Sequence, residues 1–504
     1  MSINGRTLPS LGGVALIFCC ATLLPAATLV RGPYLQSGAS SSIIVRWRTA
    51  EPATSRVRYG PSPTVLNNLV SDETPRAEHE LLLTGLASDS KYFYSIEAGD
   101  GVLAAGADYF FVTAPIRAKP TRIWVLGDAG TQFPAQEAVR DAYYAFTGAR
   151  HTDLWLMLGD NAYLTGADSE YQGAVFDTYP EMLRKSVLWP TLGNHDTAQD
   201  PVTADDIPYF LNFSLPTAGE AGGVPSGTEK YYSFNYGNIH LICLDSMSSD
   251  RSSNGTMCAW LRADLAATPS EWIFAFWHHP PYSKGSHDSD AEFELIEMRQ
   301  NVLPILEASG VDLVLCGHSH SYERSLLLHG HYGDSSTLVP EMIQSSGSGR
   351  EAENAAYRKG GMDGPGAVYV VAGSSGQIGG GALSHPAMFI ALNELGSVVL
   401  DVDGPRLDAT FLRENGTVGD TFTILKNGAP GRTRIVSYSK RGVLISFTWT
   451  AQPGSVYYVE RSRSLELSNW EVISPPITSP GETATWTTPI EPDPHLFYRV
   501  SYFP

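Results

Sequence analysis

Between residues 28 and 114, apolar and polar positions alternate in short runs, at 42–48, 55–59, 78–83, 92–97 and 108–112. A period of two argues for strands with one face buried, and turn chemistry such as Ala98-Gly99-Asp100-Gly101 separates the runs. Several such strands at close spacing predict a small β-sandwich over residues 28–115. Past a linker at 115–121 the texture changes. Unbroken apolar runs (Ile123-Trp124-Val125-Leu126, Leu154-Trp155-Leu156-Met157-Leu158, then 238–244, 272–277, 311–316 and 367–372) alternate with helix-like stretches such as 135–146. Continuous runs predict strands buried on both faces, hence a layered α/β domain over 118–425. After a second linker, Asn427-Gly428-Ala429-Pro430-Gly431, alternation returns at 443–448, 456–460, 484–487 and 497–502, predicting a second small β-sandwich over 432–504. The expected fold class is therefore multidomain.

The extreme amino terminus fits none of these patterns. Arg6, an apolar run from Leu11 to Leu24 and the small-residue exit Pro25-Ala26-Ala27 predict a cleaved secretory signal peptide over residues 1–27. The run is short for a membrane span, and no later stretch is apolar enough for one, so the mature chain is expected to be secreted, periplasmic or extracellular. Removing the leader leaves Cys243, Cys258 and Cys316. Cys243 and Cys258 are positioned either to pair across an intervening loop or to stay as buried thiols. No CxxC spacing is present, which excludes a cysteine zinc site.

Composition narrows the function. Across 504 residues, 43% are hydrophobic and 17% charged, enough for a substantial core, and the net charge is −19. A field of that sign repels a phosphate backbone and excludes general nucleic-acid binding, while leaving room for a local cationic site that captures a small anion.

The candidate chemistry lies in five clusters of the central region: Gly127-Asp128-Ala129-Gly130, Gly159-Asp160-Asn161-Ala162-Tyr163, Gly193-Asn194-His195-Asp196, His278-His279-Pro280-Pro281-Tyr282 and Gly317-His318-Ser319-His320. Four directly follow an apolar strand, and the fifth closes the segment 189–192. Functional groups of open α/β sheets gather beyond the carboxyl ends of the strands, so the placement predicts convergence. Carboxylates, imidazoles, an amide oxygen and a phenol, without thiolates, suit Mn, Fe or Zn, and they exceed what one tetrahedral ion needs. Two metals ~3.5–4 Å apart would clamp a phosphoryl group.

In this order the five clusters resemble the purple acid phosphatase branch of the calcineurin-like metallophosphoesterases. Arg31-Gly32-Pro33-Tyr34-Leu35-Gln36 and Ser55-Arg56-Val57-Arg58-Tyr59-Gly60 resemble that branch's N-terminal fibronectin-III-like domain. The likeness extends over about residues 30–425. It implies that Asp128, Tyr163 and His320 hold a ferric ion, that Asn194, His278 and His318 hold divalent Fe, Zn or Mn, and that Asp160 bridges the two. It implies hydrolysis of a phosphate monoester by in-line attack of a metal-bound hydroxide, with His195 contacting phosphate and supplying a proton to the leaving group. His287 falls in the loop where the family has another substrate-contacting histidine. Ala275 stands where the family has Val, and of the adjacent pair His278 and His279, which alternation would point to opposite sides, the resemblance selects His278.

The remaining readings are plainer. His240 reads as a strand residue, and His151, His329, His331 and His385 as loop or surface residues without a role. Residues 322–325 extend the last cluster and are expected to brace its loop through hydrogen bonds. Asn212, Asn254 and Asn415 head glycosylation sequons that matter only in a eukaryotic host. Rival readings are a phosphodiesterase on the same scaffold and a non-enzymatic extracellular binding protein, with surface or polymer contact through the C-terminal module.

Overall fold

A computed structural model describes residues 27–99, 101–197, 206–360, 364–426, 435–451, 454–464, 470–481, 483–490 and 496–503. The expected leader (apart from its last residue) and the second linker lie outside these residues.

The N-terminal part is one antiparallel network of six strands: Leu29–Gln36, Ser42–Gly60, Asn68–Thr84, Lys91–Ala98, Gly101–Ala104 and Phe110–Val112. Two of the expected strands, 42–48 and 55–59, are one. Register shifts between Arg48, Ala53 and Ser55 absorb the Glu51-Pro52 interruption, so a single bent strand pairs along its length with Asn68–Thr84 and over 56–60 also with Lys91–Ala98.

The central part holds two seven-stranded sheets. One runs Tyr232–Tyr236, Ile239–Cys243, Trp272–Trp277, Leu313–Cys316, Val368–Ala372, Tyr322–Ser325 and Met388–Leu392 across the sheet. The other runs Tyr357–Lys359, Val418–Lys426, Arg406–Arg413, Gly396–Asp403, Thr121–Leu126, Leu154–Met157 and Val187–Pro190. The uninterrupted apolar runs follow from burial on both faces. On Trp272–Trp277, Phe274 and Phe276 join the large core shared with Trp124, Leu156 and Leu400 of the facing sheet. Ala275 and Trp277 point the other way, into a second core with Leu261, Leu303 and Leu306. Helix Pro134–Thr147 stacks Tyr143 on Trp124, ring centroids 4.2 Å apart, on the outer side of the second sheet. The strands that precede the five clusters run parallel to their neighbours, 121–126 with 154–157 and 187–190, and 272–277 with 313–316. All five clusters therefore emerge at carboxyl ends.

The large core does not stop at the domain boundary. Tyr34, Leu35, Val45 and Trp47 of the N-terminal sheet belong to it, and Tyr34 meets Phe176 at 4.9 Å between ring centroids. The C-terminal residues instead enclose a small core of their own, Phe447, Trp449, Tyr457, Val459 and Ala484, between a three-stranded and a four-stranded sheet.

The structure decides several points that the sequence left open. Of the two outcomes open for Cys243 and Cys258, the structure has the buried free thiols, as at Cys316; the segment between them is a loop up to helix Thr256–Ala267. Of the loop or surface places expected for His331 and His385, both take the first: they lie in loops but are buried, beside the Tyr282 ring at 5.3 and 5.5 Å. Asn212 is fully buried and accepts a hydrogen bond from Arg31 at 2.5 Å, so its sequon is closed to glycosylation in the folded chain. His240 is the strand residue expected, held by Asp264 at 2.7 Å and Asn235 at 2.7 Å.

Candidate metal centre

At each strand end the chain turns sharply, and three of the candidate ligands take left-handed backbone conformations: Asp128 at φ 55°, Asp160 at 51° and His318 at 66°. Such conformations cost of order 1–3 kcal/mol each and gather where function demands a particular side-chain direction. The glycines between them allow close approach. A Cβ on Gly193 would lie 2.2 Å from the Asp160 amide nitrogen and carboxylate, and one on Gly317 would lie 2.5 Å from the Asp128 carboxylate.

The turns bring all seven candidate ligands together in two adjoining sets. In the first, the Tyr163 phenol donates to Asp160 Oδ2 at 2.9 Å and Asp128 Oδ1 at 3.2 Å, and lies 3.2 Å from His320 Nε2. In the second, Asn194 Oδ1 is 3.1 Å from both His278 Nε2 and His318 Nδ1, which are themselves 3.2 Å apart. Asp160 belongs to both: while Oδ2 meets Tyr163, Oδ1 is 3.5 Å from His278 Nε2 and accepts from the His195 amide at 2.9 Å.

The electrostatics of these sets call for a cation. Asp128 and Asp160 are 0% and 1% exposed, and among the described residues neither is paired with Lys or Arg. Buried carboxylates are normally paired or bound to metal. Burial, with the two carboxylates adding to it, pushes the Tyr163 phenol well above its usual range. A bound cation would invert that balance and favour the phenolate. Asp128 is itself held low: burial opposes this, but the hydrogen bond from His320 and the neighbouring imidazoles outweigh it.

Partners outside the sets fix which nitrogen each histidine presents. His278 Nδ1 is 2.8 Å from the Leu158 carbonyl, leaving Nε2 for the centre. His318 Nε2 is 3.0 Å from Glu292, leaving Nδ1. Supports of this kind orient metal-binding imidazoles. Burial lowers His318 to about 4, keeping it neutral as a ligand must be. The pair His278–His279 departs from strand alternation: both sit beyond the end of Trp272–Trp277, and both rings lie within 5.0 Å of the His318 ring. Only His278 reaches Asn194, because Ser246 Oγ holds His279 Nδ1 at 2.8 Å.

His195 and His287 flank the ligands, with side chains 33% and 32% exposed. His195 Nδ1 is 2.8 Å from the Leu164 carbonyl, and its Nε2 is 4.0 Å from Asp160 Oδ2. His287 stacks on His318 at 3.7 Å between ring centroids, with Nδ1 at 2.9 Å from Glu292. Glu323, in the extension of the last cluster, braces the loop as expected, accepting from Ser283 Oγ at 2.6 Å and Ser321 Oγ at 3.1 Å.

Two neighbours of the site escaped sequence reasoning. Glu292 joins His318 to His287, yet it lies among unremarkable acidic residues and carries no motif. Gln377, whose Nε2 is 3.4 Å from His320 Nε2, sits in a glycine-rich loop that reads only as a turn.

Comparison with known proteins accords with this geometry. Residues 121–322 match the calcineurin-like phosphoesterase family and residues 30–113 the purple acid phosphatase N-terminal domain. Purple acid phosphatase 18 of Arabidopsis thaliana is 29% identical over 300 residues, 56% of this chain and 63% of that protein. Phosphoenolpyruvate phosphatase of Allium cepa is 28% identical over 309 residues, 56% of this chain and 60% of that protein. The chain thus spans less than two thirds of the length of these relatives. A solved purple acid phosphatase from yellow lupin (Lupinus luteus) seeds shares the fold at TM-score 0.61 and 18% identity, over 81% of this chain and 76% of that one. The N-terminal and the phosphoesterase models are thus matched in succession along one chain, and the chain is similar to purple acid phosphatases over both.

Proposed function

We propose that the protein hydrolyses phosphate monoesters at a two-metal centre held by Asp128, Asp160, Tyr163, Asn194, His278, His318 and His320. The observation that carries this reading is the division of labour on Asp160, one carboxylate oxygen in each donor set, in a site where two buried carboxylates have no Lys or Arg partner among the described residues. The donor chemistry fits. A phenol beside two carboxylates and an imidazole suits a hard ferric ion, and an amide oxygen with two imidazoles suits divalent Fe, Zn or Mn. Bound there, such a pair supplies polarisation of the phosphoryl oxygens and acidification of water.

The remaining steps fall to the chain's own residues. The Leu158 carbonyl and Glu292 orient His278 and His318 so that Nε2 of the first and Nδ1 of the second face the centre. His195, with Nδ1 engaged by the Leu164 carbonyl, keeps Nε2 for the ester, where it can hold a phosphoryl oxygen and deliver a proton to the leaving alkoxide. His287, with Nδ1 engaged by Glu292, keeps its other nitrogen for a second phosphoryl oxygen. The acidic exterior (net charge −19) disfavours polyanionic partners away from this pocket, which suits a small substrate.

Elemental analysis, visible spectroscopy and a panel of phosphate monoesters and diesters test the proposal together. The expected result is two metals per chain including iron, a tyrosinate band that disappears in Tyr163→Phe, and turnover of monoesters over diesters. Two colourless divalent ions with preferred diester turnover would replace it with the phosphodiesterase reading. Absence of tightly bound metal after reconstitution would overturn it.

A further inference from the structure

Between the N-terminal sheet and the site lies the short helix Asp168–Tyr171, whose side chains reach in three directions. Asp168 accepts from two arginines of the N-terminal sheet, Arg31 Nη2 at 3.0 Å and Arg48 Nη2 at 3.0 Å. Arg31 is fully buried, lies 3.8 Å over the Phe176 ring and also donates to Gln172 at 2.8 Å and to Asn212. Glu170 faces the catalytic side. Its carboxylate accepts the backbone N–H groups of Leu164 at 2.7 Å, Thr165 at 3.0 Å and Ala167 at 2.9 Å, tying down the turn that follows Tyr163. The Leu164 carbonyl of that turn is the one that holds His195. Tyr171 donates to Asp196 at 2.6 Å, and Asp196 accepts the amides of Gly193 at 2.8 Å and Asn161 at 3.0 Å, the neighbours of Asn194 and Asp160.

The helix runs directly into a π-helical stretch, Gln172–Asp177, and so short a helical run is marginal on its own, because nucleation costs nearly all that its hydrogen bonds return. Its place is set by what grips it from outside: the charge-assisted bonds from Arg31 and Arg48 to Asp168 on one side and the buried, hydrogen-bonded Tyr171 ring on the other. We infer that the N-terminal domain is a working part of the catalytic site: Arg31 and Arg48 fix helix 168–171, and the helix fixes the turns 160–167 and 193–196 that carry Asp160, Tyr163, Asn194 and His195. Asp168, Glu170 and Tyr171 are positioning residues, acting on the ligands only through backbone. The functional part of this inference rests on the two-metal reading of the site; the mechanical part can be measured without it.

The test is hydrogen exchange by mass spectrometry on the full-length chain, with metal content, kcat and KM measured alongside, for wild type, Asp168→Asn, Tyr171→Phe and Arg46→Ala. Arg46 joins the same two domains elsewhere, through Ser214 Oγ and the Leu211 carbonyl, and serves as the control. In Asp168→Asn, exchange is expected to rise about tenfold in peptides 161–167 and 193–197, with strand 272–277 unchanged. In the same variant kcat is expected to fall about 10- to 100-fold, as for a misplaced catalytic group, with little change in KM. Tyr171→Phe, which keeps the ring and loses one hydrogen bond, is expected to loosen 193–197 and spare 164–167, and it decides the matter if Asp168→Asn does not fold. Wild-type exchange at 161–167 and 193–197 in both helix variants would overturn the inference. So would equal loosening in Arg46→Ala, which would reduce the domain contact to adhesion. A wild-type chain that binds no metal and turns over no ester would defeat the proposed function while the exchange data still judge the coupling.

Discussion

Asp160 and Glu292 mark two kinds of dependence at the residue scale. Asp160 has an oxygen in each donor set, so Asp160→Ala removes the only carboxylate common to both. Elemental analysis is expected to show loss of at least one metal, and turnover is expected to fall by well over the ~100-fold that removal of an outer partner costs. Glu292→Gln keeps a hydrogen-bond acceptor for His318 and removes the charge. It is expected to weaken metal affinity by about 10- to 100-fold, measured by competition with a chelator, while both ions still bind at saturation. The candidate ligands were legible in the sequence because each lies in a short polar cluster just beyond an apolar strand, four of the five clusters opening on a glycine. Glu292 was not, since nothing around it marks one acidic residue of 290–297 above another; only the fold brings it to His318.

At the scale of elements, the N-terminal sheet carries an acid-sensitive joint. His79, in strand Asn68–Thr84, is fully buried, stacked on Trp47 at 4.7 Å, and held by Thr49 and Ser55 hydroxyls at 2.8 Å each. Burial, with a smaller contribution from Arg76, lowers its pKa from 6.5 to about 4. Because the folded value is depressed, its stabilising contribution is fully present above pH 6.5 and is lost as pH falls through about 4. Between pH 7 and pH 4.5, thermal melts are expected to show a loss about 2 kcal/mol larger than that of a His79→Gln variant. The same sheet illustrates what alternation can and cannot predict. The runs at 42–48 and 55–59 were correctly read as strand, but whether Glu51-Pro52 ends a strand or bends it depends on pairing partners far along the chain.

Two expectations concern the whole molecule. Metal bound by the folded chain and not by the unfolded one stabilises by mass action, and here it would also neutralise two buried carboxylates that have no Lys or Arg partner among the described residues. Removal of metal by chelation is expected to lower Tm by roughly 5–10 °C, recovered on adding metal back. The C-terminal residues close on their own small core, whereas the N-terminal sheet shares the large one. A chain ending at residue 426 is accordingly expected to keep metal content and to keep kcat within about twofold, as distant and separately packed parts do; disruption of the Arg31 and Arg48 contacts is expected not to.

By itself the sequence determined the layered α/β centre, the β-rich flanks and the place of the candidate ligands at strand ends. Each of these is written in short windows, as a hydrophobic period or a strand-end motif. Tertiary structure alone decided which nitrogen each histidine presents, that Cys243 and Cys258 stay apart, that His331, His385 and Asn212 are buried, and that helix 168–171 links the N-terminal arginines to the catalytic turns. The histidine nitrogens, Asn212 and the helix depend on atoms 25 to 181 residues apart meeting within about 3 Å, a distance at which hydrogen bonds form and which no local pattern encodes.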